Sequence, residues 1–211
     1  MKFDPSQSSP AEGYKLMSNL IVPRPLAWIT SQNAEGLVNL APFSFFNALS
    51  NKPLYLMVSI GQYEDGRPKD TTRNILTNGE FVVNLVTEDV FDAMNISAAD
   101  FPPDESELSA AGVQTAPSVK IAVPRIAQAR ASLECKLFSH QKLGTYTLVI
   151  GEILMFHIDD ALVGPNNHIQ GFSPVARMGS PSTYCRTTDC FDVPRFTYAQ
   201  LKSQSPEGGR K

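Results

Sequence analysis

The chain has 211 residues, 42% hydrophobic and 18% charged, with a formal net charge of -3. That length is enough to bury a substantial core as one domain spanning 1–211, and the slight negative charge supplies no basic field for nucleic acid or an anionic membrane surface. The charged fraction lies below the usual quarter, which points to a surface partly covered by a second subunit.

In chain order, the apolar spacing and polar starts predict a helix over 11–20, then strands over 26–31, 38–46 and 54–60. A helix over 71–77 ends at Gly79, and a strand over 81–86 follows. Helical patterns over 88–97 and 105–111 precede strands over 129–138 and 146–158, separated by the break Leu143-Gly144-Thr145. In the first of that pair Ala131, Leu133, Cys135 and Leu137 alternate with polar residues, so one buried face is expected. In the second both parities are apolar, so cover on both faces is expected, from the interior and from a helix or second subunit. Residues 203–211 lack apolar surface to bury and read as a disordered tail. Six strands and 16 prolines argue for a mainly β fold with peripheral helices, a small barrel.

The first ten residues lack the apolar core of a signal peptide, and no run of about 18 apolar residues occurs, so the protein reads as cytoplasmic. Cys135, Cys185 and Cys190 are odd in number and the last two are not spaced C-x-x-C, so reduced thiols are expected. His140, His157 and His168 do not have the spacing of a helical metal site, and no metal is expected. Gly61 and Gly66 have the separation of a phosphate loop, but Arg67-Pro68 stands where Lys and Ser or Thr are required. No G-x-G-x-x-G or G-x-S-x-G motif occurs, so hydrolase readings lose most of their support.

Two segments carry chemistry. In Asn39-Leu40-Ala41-Pro42-Phe43-Ser44-Phe45-Phe46 a strand-like run is broken by proline, which belongs at sheet edges and bulges. The amides of Ala41 and Phe43 are expected to face something other than a neighbouring strand, such as a flat hydrogen-bonding cofactor; an edge strand without a ligand is the plainer alternative. In Arg67-Pro68-Lys69-Asp70-Thr71-Thr72-Arg73-Asn74-Ile75 cations and hydroxyls gather at a helix start, the composition of an anion site. The plainer alternative is an ordinary helix capped by Asp70 or Thr71. The anion reading requires the Asp70 carboxylate to turn away from the amides.

These segments, with Val22-Pro23-Arg24-Pro25 before them, Gly79-Glu80-Phe81-Val82-Val83-Asn84, Leu133-Glu134-Cys135, Ile150-Gly151-Glu152 and Arg177-Met178-Gly179 with Tyr184 after them, resemble the flavin reductase-like family of FMN-binding split-barrel proteins. The resemblance covers roughly residues 13 to 195 and departs from the family at 101–118, which is rich in proline and acid. It implies a six-stranded antiparallel Greek-key split β-barrel. By the same resemblance Thr30, Ser31, Asn39, Leu40, Ala41, Pro42, Phe43 and Ser44 hold the flavin ring and ribityl chain. Lys69, Thr71 and Thr72 take the phosphate, with Ser44 and Arg177 as further donors.

The implied activity is hydride transfer from NADH or NADPH to FMN, the reduced flavin then serving a partner monooxygenase or other electron acceptor, in a homodimer. A non-enzymatic FMN-binding electron carrier is the alternative, and a relative using pyridoxal phosphate is a third. Ring-to-ring hydride transfer needs positioning more than acid or base, so no catalytic side chain is named. Arg24 between two prolines reads as a solvated turn charge, while Trp28 and His157 read as core groups.

Overall fold

The computed structural model describes residues 2–103, 105–179 and 181–204. The chain runs α1 (Pro10–Leu20), β1 (Arg24–Pro25), β2 (Ala27–Gln32) and β3 (Val38–Phe43), then β4 (Phe46–Asn51), β5 (Leu54–Gly61), α2 (Asp70–Asn78) and β6 (Glu80–Leu85). It continues through α3 (Phe91–Ile96), α4 (Glu107–Ala111), β7 (Thr115–Ala116), β8 (Arg125–Ile126), the hairpin β9 (Ala131–Leu143) and β10 (Tyr146–Ile158), β11 (Val175–Arg177), β12 (Tyr184–Arg186) and α5 (Tyr198–Gln204). The tail expected to be disordered is therefore helical as far as Gln204, and residues 205–211 lie outside the described residues.

The main sheet is antiparallel and seven-stranded, in the order β3-β2-β6-β9-β10-β5-β4. The expected run 38–46 ends early, as β3: the chain leaves the sheet at Ser44 and re-enters at Phe46 to begin β4, a strand the sequence pattern did not mark. Those two strands form opposite edges of the sheet. Three residue steps span at most about 11 Å, so the sheet must curl until its edges approach each other. The Ser59 amide holds the crossing in place by donating to the Phe45 carbonyl at 2.8 Å.

β2 is buried on both faces and separates two cores. Ala27 and Ile29 pack with Val58, Phe81 and Val149 inside the curl, while Leu26 and Trp28 pack with Leu40, Met94 and Ile126 outside it. Trp28 is fully buried, its indole donating to the Ser97 hydroxyl at 2.8 Å. Gly151 exists for the inner core: a Cβ there would lie 2.5 Å from Phe81 Cζ.

The hairpin of β9 and β10 turns at Gly144, whose φ of +58° suits glycine. The polar face of β9 is not solvated at its start, since Ser132 and Glu134 are both fully buried. Segment 117–126 covers that face. On β10 the expected second cover is incomplete within one chain: Leu148, Ile150 and Leu154 are half-buried. Beside them Phe138, 59% exposed, stacks on Tyr55 with ring centroids 4.5 Å apart. A small sheet, β1-β11-β12, pairs Arg24 with Arg177. No periodicity marks such short strands. No described helix is long and apolar enough to cross a membrane.

Candidate functional site

A cleft of about 340 Å³ opens where β3, the start of α2, the Ser44-Phe45 crossing and segment 97–107 meet. Asn39, Ala41, Pro42, Phe43, Ser44, Lys69 and Thr71 all line it, so the two segments that stand out in the sequence converge on one place.

The N-cap of α2 precedes both expected caps, Asp70 and Thr71. Lys69, with ψ of 154°, is the N-cap and supplies no side-chain cap bond, so the first-turn amides are not closed by their own chain. Asp70 is turned away from them: it accepts from the Tyr63 hydroxyl at 2.6 Å and pairs with Arg73 at 2.5 Å. Burial, and then the bond to Asp70, pushes the Tyr63 phenol up to about 12. The Asn39 amide donates to the Thr71 hydroxyl at 2.9 Å, joining β3 to α2 directly. Lys69 lies 3.0 Å from Asp100 and 4.6 Å from the centre of the Tyr63 ring.

The edge of β3 behaves differently from expectation. Ala41 and Phe43 are the register partners of Ile29 and Ala27 on β2. Backbone groups point alternately toward and away from a neighbour in an antiparallel ladder. The outward set is therefore Val38, Leu40 and Pro42, not Ala41 and Phe43. The Leu40 amide donates to Glu107 at 2.7 Å, and the Val38 carbonyl accepts from the Ser106 hydroxyl at 2.5 Å. Pro42 takes the next outward position, where no donor is needed. Ser106 and Glu107, from the stretch 101–118 that no motif matched, cover this edge. Burial pushes the Glu107 carboxyl above its ordinary range.

Ser44 closes the other end of the cleft, with the Arg24 Nε 3.5 Å from its hydroxyl. Arg24 is not a solvated turn charge but 7% exposed. Helix α1 has no basic residue in its last turn, and Arg24 satisfies its terminal carbonyls, donating to Ile21 at 2.8 Å and to Ser18. Burial pulls its guanidinium down from its usual value. Arg177 points elsewhere: it bonds the Tyr184 hydroxyl and the Pro181 carbonyl, 4.5 Å above the Tyr184 ring.

Thr30, Ser31, Leu40 and Thr72 stand behind the wall of the cleft, all at most 1% exposed. The Thr30 hydroxyl donates to the Pro124 carbonyl at 2.6 Å, and Ser31 accepts from Asn74 at 3.2 Å. The Thr72 hydroxyl is buried without a protein partner.

Sequence reasoning missed the aromatic group that lines the cleft. Phe45 stacks on Tyr146 at 5.7 Å and 22°, with Tyr14 at 6.3 Å from Phe45. Tyr146 reads in sequence as an ordinary strand residue, so no local signal marks it. His157 lies outside the cleft and bonds Glu134, which also accepts from the amides of Val119 and Lys120 at 2.7 Å each. It is the satisfied structural group its apolar setting suggests.

An ammonium, open helix amides, the hydroxyls of Ser44 and Thr71, an amide side chain and an aromatic wall together fit a planar ring bearing a phosphate. A family model described as the flavin reductase like domain matches residues 17–176. The crystal structure of nitrilotriacetate monooxygenase component B from Bacillus cereus is similar at 33% identity with a TM-score of 0.87, covering 92% of this chain and 98% of that one. The 2-nitrobenzoate 2-nitroreductase of Pseudomonas fluorescens is similar at 33% identity with a TM-score of 0.86, covering 94% and 98%. Among relatives, the uncharacterized protein YwrF of Bacillus subtilis (strain 168) is 42% identical over 164 residues, 75% of this chain and 80% of that protein.

Proposed function

The chain belongs to the flavin reductase-like family, and from that premise we propose that it binds FMN in the cleft and passes hydride from NADH or NADPH to the flavin. The observation that carries this reading is the meeting of the uncapped start of α2, beside Lys69, with the Asn39 to Ser44 edge across one cleft. When bound, FMN would supply the redox chemistry itself.

In this reading the chain binds, orients and excludes water. Lys69, the first amides of α2 and the hydroxyls of Thr71 and Ser44 hold the phosphate, because charge-assisted donors are the stronger kind. Asn39, Ala41, Pro42 and Phe43 line the path of the ring and ribityl chain. Thr30, Ser31, Leu40 and Thr72 act from behind, fixing the strand and helix that carry those groups. Arg177 acts at one remove, through the pairing of β11 with β1 behind Arg24. Tyr14, Phe45 and Tyr146 give a second ring an apolar surface to lie against. Hydride transfer between stacked rings asks for this positioning, and no side chain is assigned as acid or base.

Likeness to a monooxygenase component supports a reading in which reduced flavin serves a partner oxygenase. The protein acts as a cytoplasmic homodimer whose curled sheet closes as a split barrel. Flavin fluorescence titration tests the first step: no quenching by tens of micromolar FMN, roughly the weak end of useful cofactor affinity, overturns it. For the second step, anaerobic mixing with NADH or NADPH should bleach the flavin band at about 450 nm within seconds, about the slow end of ordinary turnover. Reduction by dithionite but by neither nucleotide would leave an electron carrier in its place.

A further inference from the structure

We propose that Asp100 is a built-in rival for Lys69, so that the cleft holds a flavin phosphate loosely and exchanges its flavin with solvent; this rests on the flavin reading above. Among the described residues the cleft is lined by two cations, Lys69 and Arg73, and four carboxylates, Asp70, Asp100, Glu105 and Glu107. Both cations are already engaged: Arg73 pairs with Asp70 at 2.5 Å and Lys69 with Asp100 at 3.0 Å. Just outside, Arg67 pairs with Asp65 at 2.7 Å. A dianionic phosphate arriving at the start of α2 therefore meets neutralised cations and an excess of negative charge.

The two pairs differ in how readily they yield. Asp70 is buried and fixed by Tyr63 as well, whereas the Asp100 side chain is 75% exposed and that of Lys69 34% exposed. Exposed ion pairs are weak, so Lys69 can leave Asp100 for a phosphate. A phosphate therefore gains Lys69 only by breaking its pair with Asp100, and the lost pair is subtracted from the affinity that Lys69 confers. A loosely held flavin suits a reductase whose reduced product must depart.

The test measures dissociation constants for FMN and for riboflavin, which lacks the phosphate, by fluorescence quenching at one fixed salt concentration. Asp100→Asn should tighten FMN about threefold to fivefold and leave riboflavin within about 1.5-fold, as expected for releasing one cation from a weak exposed pair. In a Lys69→Ala background the gain from Asp100→Asn should shrink to less than about 1.5-fold, since the two residues act as one unit. Unchanged FMN affinity, equal shifts for both flavins, or an undiminished gain without Lys69 would each overturn the rivalry while leaving flavin binding intact. No quenching by either flavin in the wild type and in Asp100→Asn overturns the flavin reading, and the rivalry with it.

Discussion

The Asn39 amide nitrogen and the Thr71 hydroxyl lie 2.9 Å apart, so the edge strand and the start of α2 hold each other in place. Donors from both sides, Ser44 following the strand and Lys69 preceding the helix, consequently bear on the same cleft. Lys69→Ala and Ser44→Ala should each weaken FMN far more than riboflavin. A hydrogen bond to a charged group contributes about 1.5 to 3 kcal/mol, roughly a tenfold to hundredfold change in affinity. Equal losses for the two flavins would remove both residues from the phosphate site.

Gly151→Ala should destabilise the fold by about 1 to 3 kcal/mol through overpacking. The added methyl would lie 2.5 Å from Phe81 Cζ and 3.0 Å from Cε1, and Phe81 is fully buried with nowhere to retreat. Urea unfolding reads this as a lower midpoint at unchanged slope. Recovery of the midpoint in a Gly151→Ala, Phe81→Leu double variant identifies the clash as the cause.

Glu134 and Glu107 should shift stability with pH in opposite senses. For Glu134, burial pushes the carboxyl up, but bonds from His157 and the Val119 and Lys120 amides outweigh it and hold it below its ordinary 4.5. Its contribution is whole above the unfolded value and drains as pH falls through the lower folded one. Glu134→Gln should therefore cost more stability at pH 7 than at pH 3. Burial raises Glu107 above 4.5, so its contribution is whole below that value and lost as pH rises through the raised one. Glu107→Gln should gain on the wild type between pH 4 and pH 7. Denaturant midpoints from about pH 3 to pH 7 check both signs, and parallel curves for the two variants would contradict them.

A sedimentation mass of about twice one chain is the expected outcome for the native protein. The outer faces of β5 and β10 carry half-buried Met57, Leu148 and Ile150 beside the Tyr55 and Phe138 stack. Ile150→Lys should return the mass to that of one chain, because an unpaired charge in an apolar interface is strongly disfavoured. A native protein that sediments as a single chain at micromolar concentration contradicts the dimer.

Local patterns announced the long strands and the two segments that line the cleft, since proline in a strand and hydroxyls beside cations are properties of a few neighbouring residues. What they could not carry was distance. That β3 stops at Phe43 and an unmarked strand, β4, takes the opposite edge follows from the pairing of β4 with β5, which depends on the whole sheet. The burial of Arg24 follows from the unfilled end of α1, a signal present in sequence once the helix is seen to lack a basic last turn. Asp100 and Glu107 gave no signal, because acids in a proline-rich stretch look solvated until the strand they cover is known.

An open strand edge is a template on which another chain can build. Here the outward carbonyl of Val38 and the outward amide of Leu40 are taken by Ser106 and Glu107, and Pro42 offers no donor. Ser106 and Glu107 thus guard against unwanted assembly, while Asp100 carries an acid over the cleft. A protease nick that released Ser106 and Glu107 would free two hydrogen-bonding groups on an edge strand at once, converting a closed edge into a seed for aggregation.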